Sequence, residues 1–326
     1  MKRMLVPVLA GTALALMLLS LTLGPSNIKL SDTVAILLGK GASANKAYII
    51  LQLRLPRILS SFLTGAILGL SGAVFQAALR NPMADPFILG ISSGASFGVA
   101  VALFIGIAPL LGLPVSALVG ALGTTLFIVA LASRRKSSST TLLLTGVAVN
   151  YILSAAMTLL MFLHKEQYQR ILFWTLGSFS SSTYGQVVVV LFAWIILFIP
   201  LSLNHQSMDM LLLDELSARA GGLSVRRTRL LFLLLASFAT ALCVSYYGVI
   251  GFIGLMAPHA TRLIIGPKHQ KLLFPSSLLG GLLLLASDTI SRILLPSGEL
   301  PVGIITSMLG VPLFLYLLHR GRYFYG

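Results

Sequence analysis

Apolar positions in this chain follow neither a helical-face period nor an alternation of two; they run unbroken between widely spaced charges. Residues 4–28, 58–79, 86–133, 137–163, 171–208 and 230–261 contain no Asp, Glu, Lys or Arg. Crossing a bilayer takes about 20 apolar residues in a helix, so each run holds at least one crossing. Runs apolar on every face argue against barrel strands, which alternate over about ten residues. The sequence therefore predicts an all-α, polytopic transmembrane bundle.

Gly and Pro subdivide the longer runs, because Pro cannot donate to the helix ladder and Gly tolerates the left-handed turn that ends one. Pro109 and Pro114, beside Gly106 and Gly112, divide the third run, and residues 246–251 divide the sixth. The runs then hold eight spans, near 4–23, 58–79, 91–108, 114–133, 140–163, 186–203, 230–247 and 250–266, and later apolar stretches near 272–294 and 303–318 bring the total to about ten. They form one transmembrane domain over 1–326, with a long polar connection at 204–229.

Composition agrees, with 57% hydrophobic residues, 10% charged and a mean hydropathy of +0.97. An even number of spans places both termini on one side, and the Lys/Arg bias names it. With the N-terminus inside, Lys2, Arg3, Arg80, Arg134, Arg135, Lys136, Arg219, Arg226, Arg227, Arg229, Arg262, Lys268, Lys271, Arg320 and Arg322 are cytoplasmic, out of 23 basic residues. Lys29, Lys40, Lys46, Arg54, Arg57, Lys165, Arg170 and Arg292 fall outside. The net charge of +15 is spread over short loops without interleaved aromatics, which points to membrane orientation and not to nucleic acid. The first apolar run, about 20 residues without a small-residue cleavage site, reads as a retained helix. A single cysteine, Cys243, excludes intrachain disulfides.

Within 204–229 the pattern predicts two short helices. The first carries Leu212, Leu216 and Ala220 on one face and stops at Gly221 and Gly222; Ser224 caps the second. Gly65, Gly69 and Gly72 make a small-residue face suited to close helix packing. Met256 and His259 show no partner spacing for a metal, and Pro258-His259 reads as a helix bend.

Several motifs, in order, resemble those of the FecCD-type (BtuC-like) permeases, the membrane subunits of type II ABC importers for iron chelates, haem and cobalamin. They are Leu53-Arg54-Leu55-Pro56-Arg57, Ser71-Gly72-Ala73 with Gln76, Arg80-Asn81-Pro82-Met83-Ala84-Asp85-Pro86, Leu89-Gly90-Ile91-Ser92-Ser93-Gly94-Ala95, Gly251-Phe252-Ile253-Gly254-Leu255 with Pro258-His259, Asp288 to Arg292, Glu299-Leu300-Pro301-Val302-Gly303-Ile304, and Gly310-Val311-Pro312. The family commonly has Leu at the place of Met83.

The resemblance implies a permease in the bacterial cytoplasmic (inner) membrane that forms a dimer, a homodimer in the simplest case. Two ATPase chains would lie below it, a soluble binding protein above it and lipid around it. It implies that Arg54, Arg57 and Arg292 receive acidic side chains of the binding protein. Asp214, Glu215, Leu216, Arg219, Ala220, Gly221, Gly222 and Leu223 would couple to the ATPase, and Asn81, Met83, Ser137, Ser138 and Ser139 would narrow the cytoplasmic gate. The chain has no Gly-x-x-x-x-Gly-Lys-Ser/Thr loop, so ATP and Mg belong to the ATPase, and no cofactor, metal or catalytic residue is expected here. The competing expectations are an internal Arg292–Asp288 pair and, for the whole chain, an ion-coupled secondary transporter of a small solute; unpaired mid-membrane acids, its usual mark, are not evident.

Overall fold

A computed structural model describes residues 4–24, 26, 28–40, 43–133, 139–295 and 298–320. The helices are α1 (Leu5–Thr22), α2 (Leu30–Leu37), α3 (Ala44–Tyr48), α4 (Leu55–Leu79), α5 (Ile91–Phe104), α6 (Ala108–Ser133), α7 (Ser139–Leu163), α8 (Tyr168–Thr175), α9 (Tyr184–Leu203), α10 (His205–Leu211), α11 (Glu215–Ala220), α12 (Val225–Tyr247), α13 (Ile253–Ile265), α14 (His269–Ile293) and α15 (Val302–Arg320). Seven of the helical stretches are long and apolar enough to cross a membrane, and three shorter apolar ones, α5, α13 and α15, complete the ten predicted positions. Among the described residues there is no strand.

The breaks fall where Gly was read as punctuation. Gly106 and Gly112 both have φ of 73°, the latter inside α6, and Gly248 has φ of 76° after α12. A side chain at Gly248 would also meet the carbonyl of Trp174 at 2.3 Å, so only Gly fits there.

The second span differs from expectation. It does not start at 58 but runs helically from Ala44 to Leu79. A π-helical segment, Ile49–Arg54, joins α3 to α4, with the Leu55 N–H reaching the carbonyl of Ile50. Pro56 follows directly; the wider turn absorbs the missing donor without ending the helix. Helices α2 and α8 lie outside the ten predicted spans.

This long span is the hub of the bundle, buried over 83% of its apolar window, against 17% for α1 and 11% for α7. It packs most extensively on α14 and also on α12, α13 and α9. The glycine face makes that possible. A Cβ at Gly65 would lie 2.3 Å from the Gly280 carbonyl, and one at Gly72 only 1.7 Å from that of Gly254. Lipid gives apolar side chains no incentive to leave it, so close backbone approach, van der Waals contact and interhelical hydrogen bonds hold such a bundle. Tyr247 Oη bonds to Ser60 Oγ at 2.9 Å and Trp194 Nε1 to Ser277 Oγ at 2.8 Å, tying α12 to α4 and α9 to α14.

Candidate functional site

The paired charged side chains gather at the two ends of the bundle. At one end, Arg57 in the first turn of α4 forks onto Asp288 of α14. Its Nε lies 3.0 and 3.1 Å from the two carboxylate oxygens and its Nη2 lies 2.8 Å from one of them. The remaining arm, Nη1, reaches Glu299 Oε2 at 2.6 Å, in the connection before α15. Asp288 is fully buried, whereas Glu299 keeps a third of its side chain exposed.

Arg54 and Arg292 serve the C-terminal end of α1. Arg54 donates to the carbonyls of Leu21, Thr22 and Ser26 at 2.5, 3.0 and 2.9 Å, and to Ser26 Oγ at 2.8 Å. Arg292 donates to the carbonyls of Ser20 and Leu23 and to Ser20 Oγ. Helix C-termini leave carbonyls without intrahelical donors and carry partial negative charge, so guanidinium groups suit this place. Arg292 also lies 3.6 Å from Asp288, the internal pair that the spacing of four allowed.

All three arginines are buried, at 5%, 7% and 3% exposure for Arg54, Arg57 and Arg292. The sequence placed Arg54 and Arg57 ahead of a span; the structure sets them inside one long helix, each engaged internally. It also brings all three together. They line one cavity of about 350 Å³ with Glu299, Ser26 and Ser180. Its charged lining is three guanidiniums and one carboxylate, with Asp288 buried behind.

At the opposite end lies the polar connection between α9 and α12. It does contain two short helices, but they are α10 and α11, not a pair divided at Gly221 and Gly222. Residues 225–229, expected to belong to the second short helix, are the first turns of α12, and Ser224 makes no side-chain cap. Leu212 ends α10 and Leu216 lies in α11, so Leu212, Leu216 and Ala220 do not share one continuous helix. The break is set by Asp214, whose carboxylate accepts from the N–H groups of Leu216 and Ser217 at 3.1 and 2.9 Å and starts α11 anew. Within α11, Arg219 pairs with Glu215 at 2.7 Å. Leu216 is 80% exposed, an apolar side chain projecting from a charged turn. Gly222 takes the left-handed conformation, φ 84°, and the Leu223 N–H returns to the Ala218 carbonyl.

This connection is strapped to α14. Asp209 of α10 accepts from the backbone N–H and from Nδ1 of His269, at 2.9 and 2.6 Å. Partial burial works against the charged carboxylate, but the hydrogen bonds from His269 outweigh it and hold Asp209 below the ordinary range.

Of the expected gate residues, Asn81 and Met83 lie in the turn after α4, where Asn81 Oδ1 accepts from the Met83 N–H at 2.9 Å. Met83 is exposed. Ser139 opens α7, and Ser137 and Ser138 lie outside the described residues. Nearby, Asp85 caps the 3-10 turn Pro86–Leu89 by accepting from the Phe87 N–H. Sequence reasoning missed Glu299 as a partner of Arg57 and missed the Asp209–His269 strap. Both join residues distant in the chain, and neither leaves a local spacing. Among the described residues, no group of three or more His, Cys, Asp or Glu side chains could hold a metal ion.

Buried ion pairs at one end, an exposed, capped short helix at the other and a glycine-packed core between them make this a polytopic helical membrane protein. The FecCD transport family matches residues 12–320, and the chain belongs to that family. The cobalamin import system permease protein BtuC of Halobacterium salinarum is 40% identical over 279 residues, covering 85% of this chain and 75% of its own. A Helicobacter pylori protein named "Probable iron chelatin transport system permease protein" is 41% identical over 275 residues, covering 84% of this chain and 83% of its own. Among solved structures, an ABC transporter described as of metal-chelate type, in an inward-facing conformation, superposes with a TM-score of 0.88 at 30% identity. That match covers 98% of this chain and 100% of the other.

Proposed function

We propose that this chain is the membrane-spanning permease subunit of an ATP-driven importer that carries a metal chelate or corrinoid, such as a ferric siderophore, haem or cobalamin. One observation carries the reading: nearly the whole chain superposes on the metal-chelate type ABC transporter, while sequence relatives over the same length are named for cobalamin and iron-chelate import. Two copies enclose the pathway in the cytoplasmic membrane, both termini on the cytoplasmic side. The end carrying α10 and α11 then faces two ATPase subunits, which hold ATP and Mg, and the opposite end faces a binding protein.

The outer cavity supports docking of that protein. Arg54, Arg57 and Arg292 together face two carboxylates, Asp288 and Glu299, which leaves one positive charge in excess; an Asp or Glu of the binding protein balances it. At the inner end, Asp214 to Leu223 form the element that enters the ATPase, with Leu216 as its apolar contact. Motion of this element reaches the bundle through the Asp209–His269 strap and through α12, a rigid-body transmission. Asn81, Met83 and Ser139 frame the gate.

Within the spans, coupling of a secondary, ion-driven kind has little to act on at the buried Asp288, which is saturated by Arg57. The reading is tested by reconstituting the permease with its ATPase and binding protein and measuring ATP hydrolysis. Hydrolysis should rise when the loaded binding protein is added, and Leu216→Glu should abolish the rise. Hydrolysis indifferent to the permease would contradict the assignment.

A further inference from the structure

A second cavity, of about 320 Å³, opens at the α10/α11 end, between the C-terminus of α4, the last turn of α13 and Leu212. Arg80, Arg262, Asn81 and Gln76 supply its polar lining, and no acid contributes to it.

Among the described residues, the hydrogen bonds around the cavity leave donors of Arg80 and Asn81 uncommitted. Gln76 is used up: its Nε2 donates to the Leu255 carbonyl at 3.2 Å and its Oε1 accepts from Arg262 Nη1 at 2.9 Å. That contact aims the Arg262 guanidinium, itself buried at 8% exposure, along the wall. Asn81 spends its acceptor on the Met83 N–H, which leaves the Nδ2 donor. Arg80 commits only Nε, to the Leu211 carbonyl at 2.9 Å, and among the described residues its two terminal nitrogens have no hydrogen-bond partner.

Arg80 also occupies the residue position just beyond α4 in a left-handed conformation, φ 50° and ψ 39°. Gly is the ordinary occupant of that place, since a Cβ there is strained. A strained backbone kept under a long cationic side chain suggests that the side chain is needed where it points.

We propose that this cavity binds a phosphate group, supplied either by free phosphate or by the headgroup of an anionic phospholipid. The Arg80 fork matches the paired oxygens of a tetrahedral oxyanion, and its positive charge, with no acid among the described lining residues, favours an anion over a cation or a neutral acceptor. The site is separate from the outer arginine cavity and does not depend on which cargo the permease carries.

Two variants isolate the guanidinium. Arg80→Gly relieves the backbone strain while deleting the side chain and its bond to the Leu211 carbonyl, so each variant's melting temperature without phosphate is the baseline against which its phosphate response is read. Arg80→Gln keeps side-chain bulk without charge. Thermal unfolding of the full-length, detergent-purified protein is measured against inorganic phosphate, with sodium chloride of equal ionic strength as control. Native mass spectrometry of the same preparation reports retained phosphatidylglycerol. A saturable, phosphate-specific rise in melting temperature that both variants lose supports the free-anion source. A phosphatidylglycerol adduct that both variants lose supports the headgroup source. In either case binding should weaken about tenfold or more, the scale of one charged hydrogen-bonding contact. Neither response in the parent, or a response that survives in both variants, overturns the proposal.

Discussion

Asp209 accepts two hydrogen bonds from one residue, the backbone N–H and the imidazole Nδ1 of His269, and so fixes the short helix α10 to the start of α14. In the proposed importer this is a joint between the ATPase-facing element and the transmembrane bundle. Asp209→Ala should lower stability by about 1–2 kcal/mol, the range for hydrogen bonds to a partly screened carboxylate, and should reduce uptake more than ATP hydrolysis. Because the folded-state carboxyl titrates below its ordinary value, the contribution is fully present above about pH 4 and is lost as pH falls further. Thermal unfolding of parent and variant across pH checks both statements.

The buried fork of Arg57 on Asp288 gives a second expectation. Asp288→Ala leaves Arg57 with Glu299 alone and Arg292 without its nearest carboxylate, both deep in protein. Breaking such a pair by removing one partner costs about 3–5 kcal/mol, so the variant should accumulate poorly and melt early. The same geometry bears on docking tests: Arg57→Glu would place a carboxylate against Asp288 and confound docking with folding. Arg54→Gln is cleaner, because its partners are neutral carbonyls and a hydroxyl. It takes the buried donor from those carbonyls, so it should lower stability by about 1–3 kcal/mol while weakening the binding protein's affinity about tenfold or more, which a melting curve and titration calorimetry read separately.

Glycine packing can be tested directly. Gly72→Ala would put a methyl group 1.7 Å from the Gly254 carbonyl, so α4 and α13 must separate. The expected cost is at least about 1–3 kcal/mol, visible as a lower melting temperature. Gly123→Ala in α6, with nothing within 4 Å of the added carbon, is the matched control and should melt like the parent.

Leu216 is an apolar side chain held out on a short, capped helix. Leu216→Ala should leave the melting temperature within experimental scatter while weakening ATPase association, as read by co-purification. An equal loss of both would mean that the residue supports the fold instead.

Much of this was legible in the sequence because membrane helices advertise themselves: charge-free runs marked eight of the ten positions, and Gly106, Gly112 and Gly248 marked the breaks. The arginine positions were legible as residues but not as environments. Arg54 and Arg57 beside Pro56 look like the polar edge of a span. They fit inside a helix because a π-helical turn accommodates the Pro and because acceptors from α1, α14 and the 299 connection, far away in sequence, satisfy the guanidiniums. The 204–229 connection failed in register for a smaller reason. Asp214 captures two N–H groups and restarts the helix, and that local hydrogen bonding overrides the apolar spacing of Leu212, Leu216 and Ala220.

The central claim is that this chain provides the path while energy and cargo choice come from other chains. It is tested most directly by uptake into proteoliposomes holding the permease with its ATPase, with the loaded binding protein outside and ATP inside. Labelled cobalamin and ferric siderophore are offered in turn. The account expects accumulation of the cargo that the binding protein holds, only with ATP and only with an ATPase able to hydrolyse it. Accumulation driven by a proton or sodium gradient with no ATPase present would contradict it.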